Sequence, residues 1–247
     1  MRINYLILVL LTLIAQQLSS QESEKRNHFG FGITPQLGVI EQHNEGQYES
    51  KPQLSITIDA NVIRKLSDRV ELHAGLGLQK AKLSQRDYSP LFPSDHDGMG
   101  GADFKKSYYE IPVDYVAIGI PVSFQFKFSD RPSYFFLNVG LQVRQVLHSK
   151  ENFQLIESGL VTHQLDYEDL NINLRKTQFF TMGTVGYKFA LKENSSVSIG
   201  VNQNYSMLNI FQGDPFPSAA AFIGGNPVFY GLRLFYEWGK EKKKTDL

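Results

Sequence analysis

Large apolar side chains alternate with small or polar ones along most of the chain after residue 28. In the stretch 115–128, YVAIGIPVSFQFKF, the even-numbered residues from Val116 to Phe128 are large and apolar, and the odd-numbered residues from Ala117 to Lys127 are small or polar. A period of two residues is typical of a β-strand, whose successive side chains lie on opposite faces. The same period recurs at 28–41, 53–66, 69–83, 133–147, 196–208 and 228–238. It also recurs, less regularly, within 172–191. The sequence therefore predicts eight strands.

Short and long connections alternate between these strands. Three short turns lie at 65–69, 129–133 and 192–196, and longer polar connections lie at about 42–52, 84–113, 148–171 and 209–226. Transmembrane barrels have short periplasmic turns and longer outer loops, and closure leaves no unpaired backbone in the lipid. We therefore predict an all-β protein, an eight-stranded antiparallel up-and-down transmembrane β-barrel with periplasmic termini. A soluble β-sandwich is the structural alternative, but it has no reason to sort its connections by length.

Aromatic residues lie towards both ends of the predicted strands, as expected for girdles at the two membrane interfaces. The girdle near the short turns comprises Phe29, Phe31, Phe126, Phe128, Tyr134, Phe135, Tyr187, Phe189, Tyr236 and Trp238. The girdle near the long connections comprises Tyr115, Phe179, Phe180, Tyr205, Phe211 and Tyr230.

The N-terminus has the features of a cleavable signal peptide. Arg2 precedes an apolar run at 5–15, and small residues at Ser19 and Ser20 suit cleavage before Gln21. An N-terminal membrane anchor is the alternative. We divide the chain into a signal peptide (1–20), a periplasmic N-terminal segment (21–27), the barrel (28–238) and a basic periplasmic tail (239–247).

Composition excludes several classes of protein. The formal net charge of zero argues against a nucleic-acid-binding protein, which would carry a basic excess. The chain has no cysteine, so disulfides, cysteine-based zinc sites and a lipoprotein anchor are excluded.

The inward faces of the predicted strands carry charges of both signs, as a buried polar network requires. An eight-stranded barrel is just wide enough for side chains to fill its lumen. We expect a structural polar network formed by Asp59, Glu71, His73, Lys127, Arg144, Lys188, Arg233 and Glu237. A narrow path for ions or solutes is the alternative, and Glu71 with His73 could form an acid–base couple.

Two further groups could carry chemistry. Asp95, Asp97 and Asp103 lie in a glycine-rich connection and are weak candidates for a calcium site, but their spacing does not match a twelve-residue calcium loop. His148 and Ser149 could serve a lipid A-modifying enzyme, but adjacent strand residues face opposite ways. We predict no catalytic residue, no cofactor and no metal.

The stretches 109–113, YEIPV, and 115–128 resemble the tyrosine–leucine–glutamate–isoleucine–proline signature of the PorT-like outer-membrane β-barrels of the Bacteroidota. The aromatic segment 134–143, YFFLNVGLQV, resembles the hairpin that follows this signature in the family. The order Tyr109, Glu110, Ile111, Pro112 matches it, while Pro121 lies in the strand that follows, so either copy could be the equivalent one. The resemblance implies an outer-membrane barrel in a Gram-negative bacterium. The final strand ends in Tyr236 and Trp238, similar to a barrel insertion signal, although nine residues follow it.

These features predict a non-enzymatic outer-membrane barrel with a filled lumen. We expect a monomer that contacts outer-membrane lipid and lipopolysaccharide and does not bind nucleic acid. It would act in envelope integrity, in surface binding or as a secretion-associated component, reaching an extracellular ligand or partner through loops 84–113 and 148–171. A small solute channel and a lipid A-modifying enzyme are the alternatives.

Overall fold

The structure is a computed structural model that describes residues 27–41, 48–87, 107–157, 160–166, 173–191, 195–212 and 225–239. The predicted signal peptide at 1–20, most of the segment 21–27, the tail beyond Gly239 and the acidic residues Asp95, Asp97 and Asp103 lie outside the described residues.

The described residues form β-strands joined by turns. The strands are β1 (Asn27–Glu41), β2 (Tyr48–Lys51), β3 (Gln53–Lys65), β4 (Val70–Asp87), β5 (Ser107–Lys127), β6 (Tyr134–Glu157), β7 (Leu160–Asp166), β8 (Asn173–Leu174), β9 (Thr177–Ala190), β10 (Ser195–Ser206), β11 (Phe211–Gln212) and β12 (Asn226–Gly239). Among the described residues, no helix is long and apolar enough to cross a membrane.

Eight of the strands close into a barrel. Neighbours pair antiparallel in the order β1, β3, β4, β5, β6, β9, β10 and β12, and β12 pairs back with β1 through registers such as Phe31 with Tyr236. The predicted eight-stranded antiparallel barrel is confirmed.

The barrel is apolar outside and polar inside, as the alternation predicts. On β1, Phe29 and Leu37 are each 50% exposed, whereas Thr34 and Gln36 between them are buried. Large apolar side chains are likewise exposed on the outward faces of all eight barrel strands, from Leu54 and Leu76 to Val201 and Leu232. An apolar surface on this scale is stable only in contact with lipid.

The loops predicted at 84–113 and 148–171 are wrong in extent. β4 continues to Asp87, β5 begins at Ser107, and β6 continues to Glu157 before β7 turns back along it. Beyond the lipid a strand no longer needs a large apolar face, so the period-2 signal fades while the hydrogen-bonded pairing continues. The hairpins therefore extend past the apolar belt, which is the band of exposed apolar side chains on the outward faces of the barrel strands.

Two prolines interrupt the pairing locally. The sequence predicts a bulge or break at Pro121, and pairing with β4 does lapse between Ala74–Val122 and Gly77–Gly119, while Pro121 stays in register with Gln142 of β6. Pro35 interrupts the β1–β12 pairing in the same way. Proline has no backbone N–H to donate, so each break falls on one side of its strand.

Exposed ion pairs lie at two of the short turns. Lys65 Nζ lies 2.7 Å from Asp68 Oδ1, and Arg69 Nη2 lies 3.2 Å from Asp130 Oδ2 on the neighbouring turn. The hydrogen bond from Lys65 lowers the pKa of the Asp68 carboxyl.

The aromatic girdle near the short turns is largely as predicted. Its rings pack on the outer surface, with centroids of Phe29 and Trp238 6.4 Å apart and those of Phe135 and Tyr187 4.7 Å apart. Tyr134, Tyr115 and Phe180 were wrongly assigned to the girdles, because all three are buried inside the barrel. Phe135 and Phe179 face outwards, so the adjacent residues Tyr134 and Phe180 must face inwards.

Candidate functional site in the barrel lumen

All eight residues predicted for the lumen lie on the inward faces of their strands. Lys127 and Arg233 are partly exposed, and the others are buried: Asp59, Glu71, His73, Arg144, Lys188 and Glu237. The fold distributes them over successive levels of the lumen.

The level nearest the short turns is an inner charge cluster formed by Glu71, Lys127, Lys188 and Glu237. Lys127 Nζ lies 2.5 Å from Glu71 Oε1, and Lys188 Nζ lies 3.6 Å from Glu71 Oε2. Lys188 also pairs with Glu237. The cluster contains two carboxylates and two ammonium groups from four different strands, so it is neutral and ties opposite walls together.

Neutral side chains add hydrogen bonds to the inner charge cluster, although Glu237 Oε1 has no hydrogen-bond partner among the described residues. Gln125 Nε2 donates to Glu71 Oε2 at 3.1 Å, and the Ser196 hydroxyl donates to Glu237 Oε2 at 3.3 Å. The buried ring of Tyr134 lies below both ammonium groups, with its centroid 5.2 Å from Lys127 Nζ and 5.6 Å from Lys188 Nζ. The sequence predicted Tyr134 in the girdle near the short turns and not in the lumen.

His73 lies beside the inner charge cluster without joining it. Its Nε2 is 3.7 Å from Glu71 Oε2, and neither ring nitrogen has a hydrogen-bond partner among the described residues. Potential ligand atoms of Glu71, His73 and Glu237 lie within 4.8 Å of one another, as a metal site would need. Lys127 and Lys188 already neutralise both carboxylates, and a divalent cation would have to compete with them, so we assign no metal here.

A second level joins β3 to β12. Arg233 Nη2 donates to Asp59 Oδ2 at 2.6 Å, and Asn61 also donates to Asp59. The guanidinium of Arg233 lies 4.5 Å from the ring centroid of the buried Phe235. This pair again links strands that are not neighbours in the barrel.

A third level, the amide layer, consists of neutral side chains around Arg144. Arg144 Nε donates to Gln142 Oε1 at 2.8 Å, and Nη1 donates to Gln79 Oε1 at 2.7 Å. Gln79 in turn donates to Gln36, and Gln36 donates to Asn202 on the far side of the lumen at 3.3 Å. No carboxylate contacts Arg144 among the described residues, although the guanidinium lies 3.9 Å from the ring centroid of Phe180.

An apolar plug fills the end of the lumen nearest the long hairpins. Phe180 and Phe229 pack with ring centroids 6.0 Å apart, and Leu174 and Ile210 enter from the segments around β8 and β11. The complete set is Ile40, Ala81, Leu83, Val113, Tyr115, Ala117, Leu174, Phe180, Ile210 and Phe229. The plug was not predicted from the sequence, although Leu83, Phe180 and Phe229 all lie at inward-facing positions of the alternating pattern.

Two small cavities lie between the levels of the described residues. A cavity of about 30 Å³ lies between Arg233 and the amide layer, and another of about 10 Å³ lies between His73 and Phe235. Such volumes hold at most about two water molecules.

The pair His148 and Ser149 lies in β6 rather than in a loop. Its two residues are paired in register with Val116 and Tyr115, which face opposite sides of the barrel wall. The two side chains therefore lie on opposite faces of the strand.

No protein-family model and no curated protein matches the chain. Among solved structures, Neisserial surface protein A aligns with a TM-score of 0.43 at 10% identity, covering 87% of this chain and 97% of that one. OprG from Pseudomonas aeruginosa aligns with a TM-score of 0.40 at 7% identity, covering 87% and 97%. The outer membrane enzyme PagL aligns with a TM-score of 0.37 at 10% identity, covering 84% and 98%. Likeness at this level concerns the fold and not the function.

The closed barrel, apolar outside and polar inside, defines the chain as an integral outer-membrane β-barrel protein. Its resemblance to the PorT-like family stays a prediction.

Proposed function

We propose that the protein is a non-conducting outer-membrane barrel that acts through the segments beyond its apolar belt. The observation that supports this best is the sequence of levels across the lumen: the inner charge cluster, the Asp59–Arg233 pair, the amide layer and the apolar plug. A conducting pore needs a continuous water-filled path. Among the described residues, side chains bonded across the lumen enclose two small cavities.

Conductance in planar lipid bilayers tests the filled lumen. We expect no discrete steps after insertion of the purified protein, with an open porin as the positive control. Reproducible steps would replace this proposal with the small solute channel.

An unchanged lipid A mass spectrum in a deletion strain would exclude the third alternative, a lipid A-modifying enzyme.

We further propose that the short turns and both termini are periplasmic and that the long hairpins lie at the cell surface. The chain has no cysteine, so single-cysteine variants give an unambiguous label. Leu160→Cys, at the start of β7, should react with a membrane-impermeant maleimide on intact cells. Asp68→Cys, in the short turn between β3 and β4, should react only after lysis. The reverse result would invert the topology.

The partner reached from the cell surface is proposed to be an extracellular ligand or a secretion component. A pull-down from membranes with the full chain, compared with a variant shortened within 88–106, tests this role. Loss of the same captured protein in the shortened variant supports surface binding. Identical captures from both would argue that this connection is not the contact site.

A further inference from the structure

Three neighbouring barrel strands carry a group of charged residues on their outward faces, just above the apolar belt. Lys80 and Lys82 lie on β4, Asp114 lies on β5, and Lys150 lies on β6; all four are exposed. We call the three lysines with Asp114 the lysine face.

Strand register fixes the geometry of the lysine face. Lys82 is paired directly with Asp114, and Asp114 is paired directly with Lys150. Lys82 Nζ lies 3.8 Å from Asp114 Oδ2. Neighbouring strands are about 4.8 Å apart and alternate residues along a strand about 6.6 Å apart, so flexible lysine side chains can bring all three ammonium groups to one point.

The depth of the lysine face follows from the residues below it. Leu78, which precedes Lys80 on the same face, is paired with Ile118, and both are exposed on the apolar belt. The next outward-facing residue along β4, two positions after Leu78, is Lys80. The ammonium groups therefore lie where the hydrocarbon ends and the headgroups begin.

The charge of this sector is unbalanced. Three lysines surround one aspartate, and His148 lies beside Lys150 on the same outward face. By contrast, β9 and β10 present the uncharged Thr181 and Gln203 outwards towards their outer ends. One side of the barrel wall thus carries a net charge of about two positive units at headgroup depth.

We propose that the lysine face binds the phosphate groups of the glycolipid in the outer leaflet, with Asp114 limiting the affinity. This inference rests on the proposed orientation of the long hairpins towards the cell surface. Phosphate is the headgroup chemistry that clustered ammonium groups attract, at an interface where screening is weaker than in bulk water. The lipid would contact one sector of the barrel rather than its whole circumference.

Native mass spectrometry of the purified protein in detergent, titrated with diphosphoryl lipid A, tests the proposal. Lys80→Gln/Lys82→Gln should weaken binding roughly 25-fold, at about fivefold per lysine. The matched control Lys65→Gln/Lys176→Gln removes the same charge at two other exposed lysines and should change binding less than about twofold. Asp114→Asn should strengthen binding about fivefold, a gain that misfolding cannot produce.

Further arms of the titration identify the source of the phosphate. Dephosphorylated lipid A should bind with no difference between wild type and Lys80→Gln/Lys82→Gln. Millimolar inorganic phosphate should compete weakly; displacement of lipid A at micromolar phosphate would make this a site for free phosphate and overturn the proposal. Equal losses in both double variants would also overturn it. Binding in detergent does not depend on membrane topology. The maleimide experiment can therefore contradict the proposed orientation without changing the outcome of the lipid A titration.

Discussion

Lys188 on β9 and Glu71 on β4 face each other across the barrel lumen with Nζ and Oε2 3.6 Å apart. Their strands are separated by β5 and β6 along the barrel wall. An ion pair of this kind holds the wall together through the interior, which backbone pairing between neighbouring strands cannot do. The structure places the buried charges of the inner charge cluster where each can cancel another.

Glu71→Gln should lower the free energy of unfolding by about 3 kcal/mol, because Lys127 would lose its ion-pair partner and the cluster would hold two ammonium groups and one carboxylate. Urea unfolding in lipid vesicles, followed by the fluorescence of Trp238, the only tryptophan, measures this change. Asp130→Asn breaks an exposed pair and should cost less than about 1 kcal/mol. Adding Lys127→Met to Glu71→Gln should recover part of the loss, and a purely additive double variant would show that the two charges do not interact.

Phe180→Ala should cost about 3–5 kcal/mol, because it opens a cavity in the apolar plug and removes the aromatic face beside the Arg144 guanidinium. Phe179→Ala is the matched control. It is the preceding residue on the same strand, but its side chain faces lipid and is 41% exposed, so its loss should cost only about 1–2 kcal/mol. Equal costs for the two variants would contradict the assignment of Phe180 to the plug.

The sequence predicts the barrel well because lipid imposes the same rule on every strand: apolar residues outwards, small or polar residues inwards. That rule identifies Glu71, Lys188 and Glu237 as lumen residues but contains no information about which charge meets which, since pairing depends on strand order and stagger. The apolar plug was missed for a physical reason. Phe180 and Phe229 face inwards, and Phe180 was assigned to a girdle because only its distance from the end of the strand was considered.

The apolar belt predicts that an introduced arginine lowers the free energy of unfolding by an amount that depends steeply on its depth in the membrane. Leu76→Arg, in the middle of β4 and on the lipid face, should cost about 2–4 kcal/mol. Leu66→Arg, in the turn between β3 and β4, should cost about 1 kcal/mol or less, because its guanidinium can reach water. Unfolding in the same vesicles measures both. Similar costs at the two positions would mean that Leu76 does not lie at the centre of the bilayer.

Strands β5 and β6 approach each other closely at Gly140. A Cβ built on Gly140 would lie 2.5 Å from Ser123 Cβ and 2.6 Å from Ser123 Cα, whereas one built on Gly183 would meet no atom within 4 Å. Gly140→Ala must therefore push β5 and β6 apart and should cost about 1–3 kcal/mol. Gly183→Ala should be neutral or stabilise by up to about 1 kcal/mol, because it restricts the unfolded chain. Both changes add one methyl group to a barrel strand, so their difference isolates strand contact from composition. If Gly140→Ala proves as stable as wild type, β5 and β6 approach less closely here than their register implies.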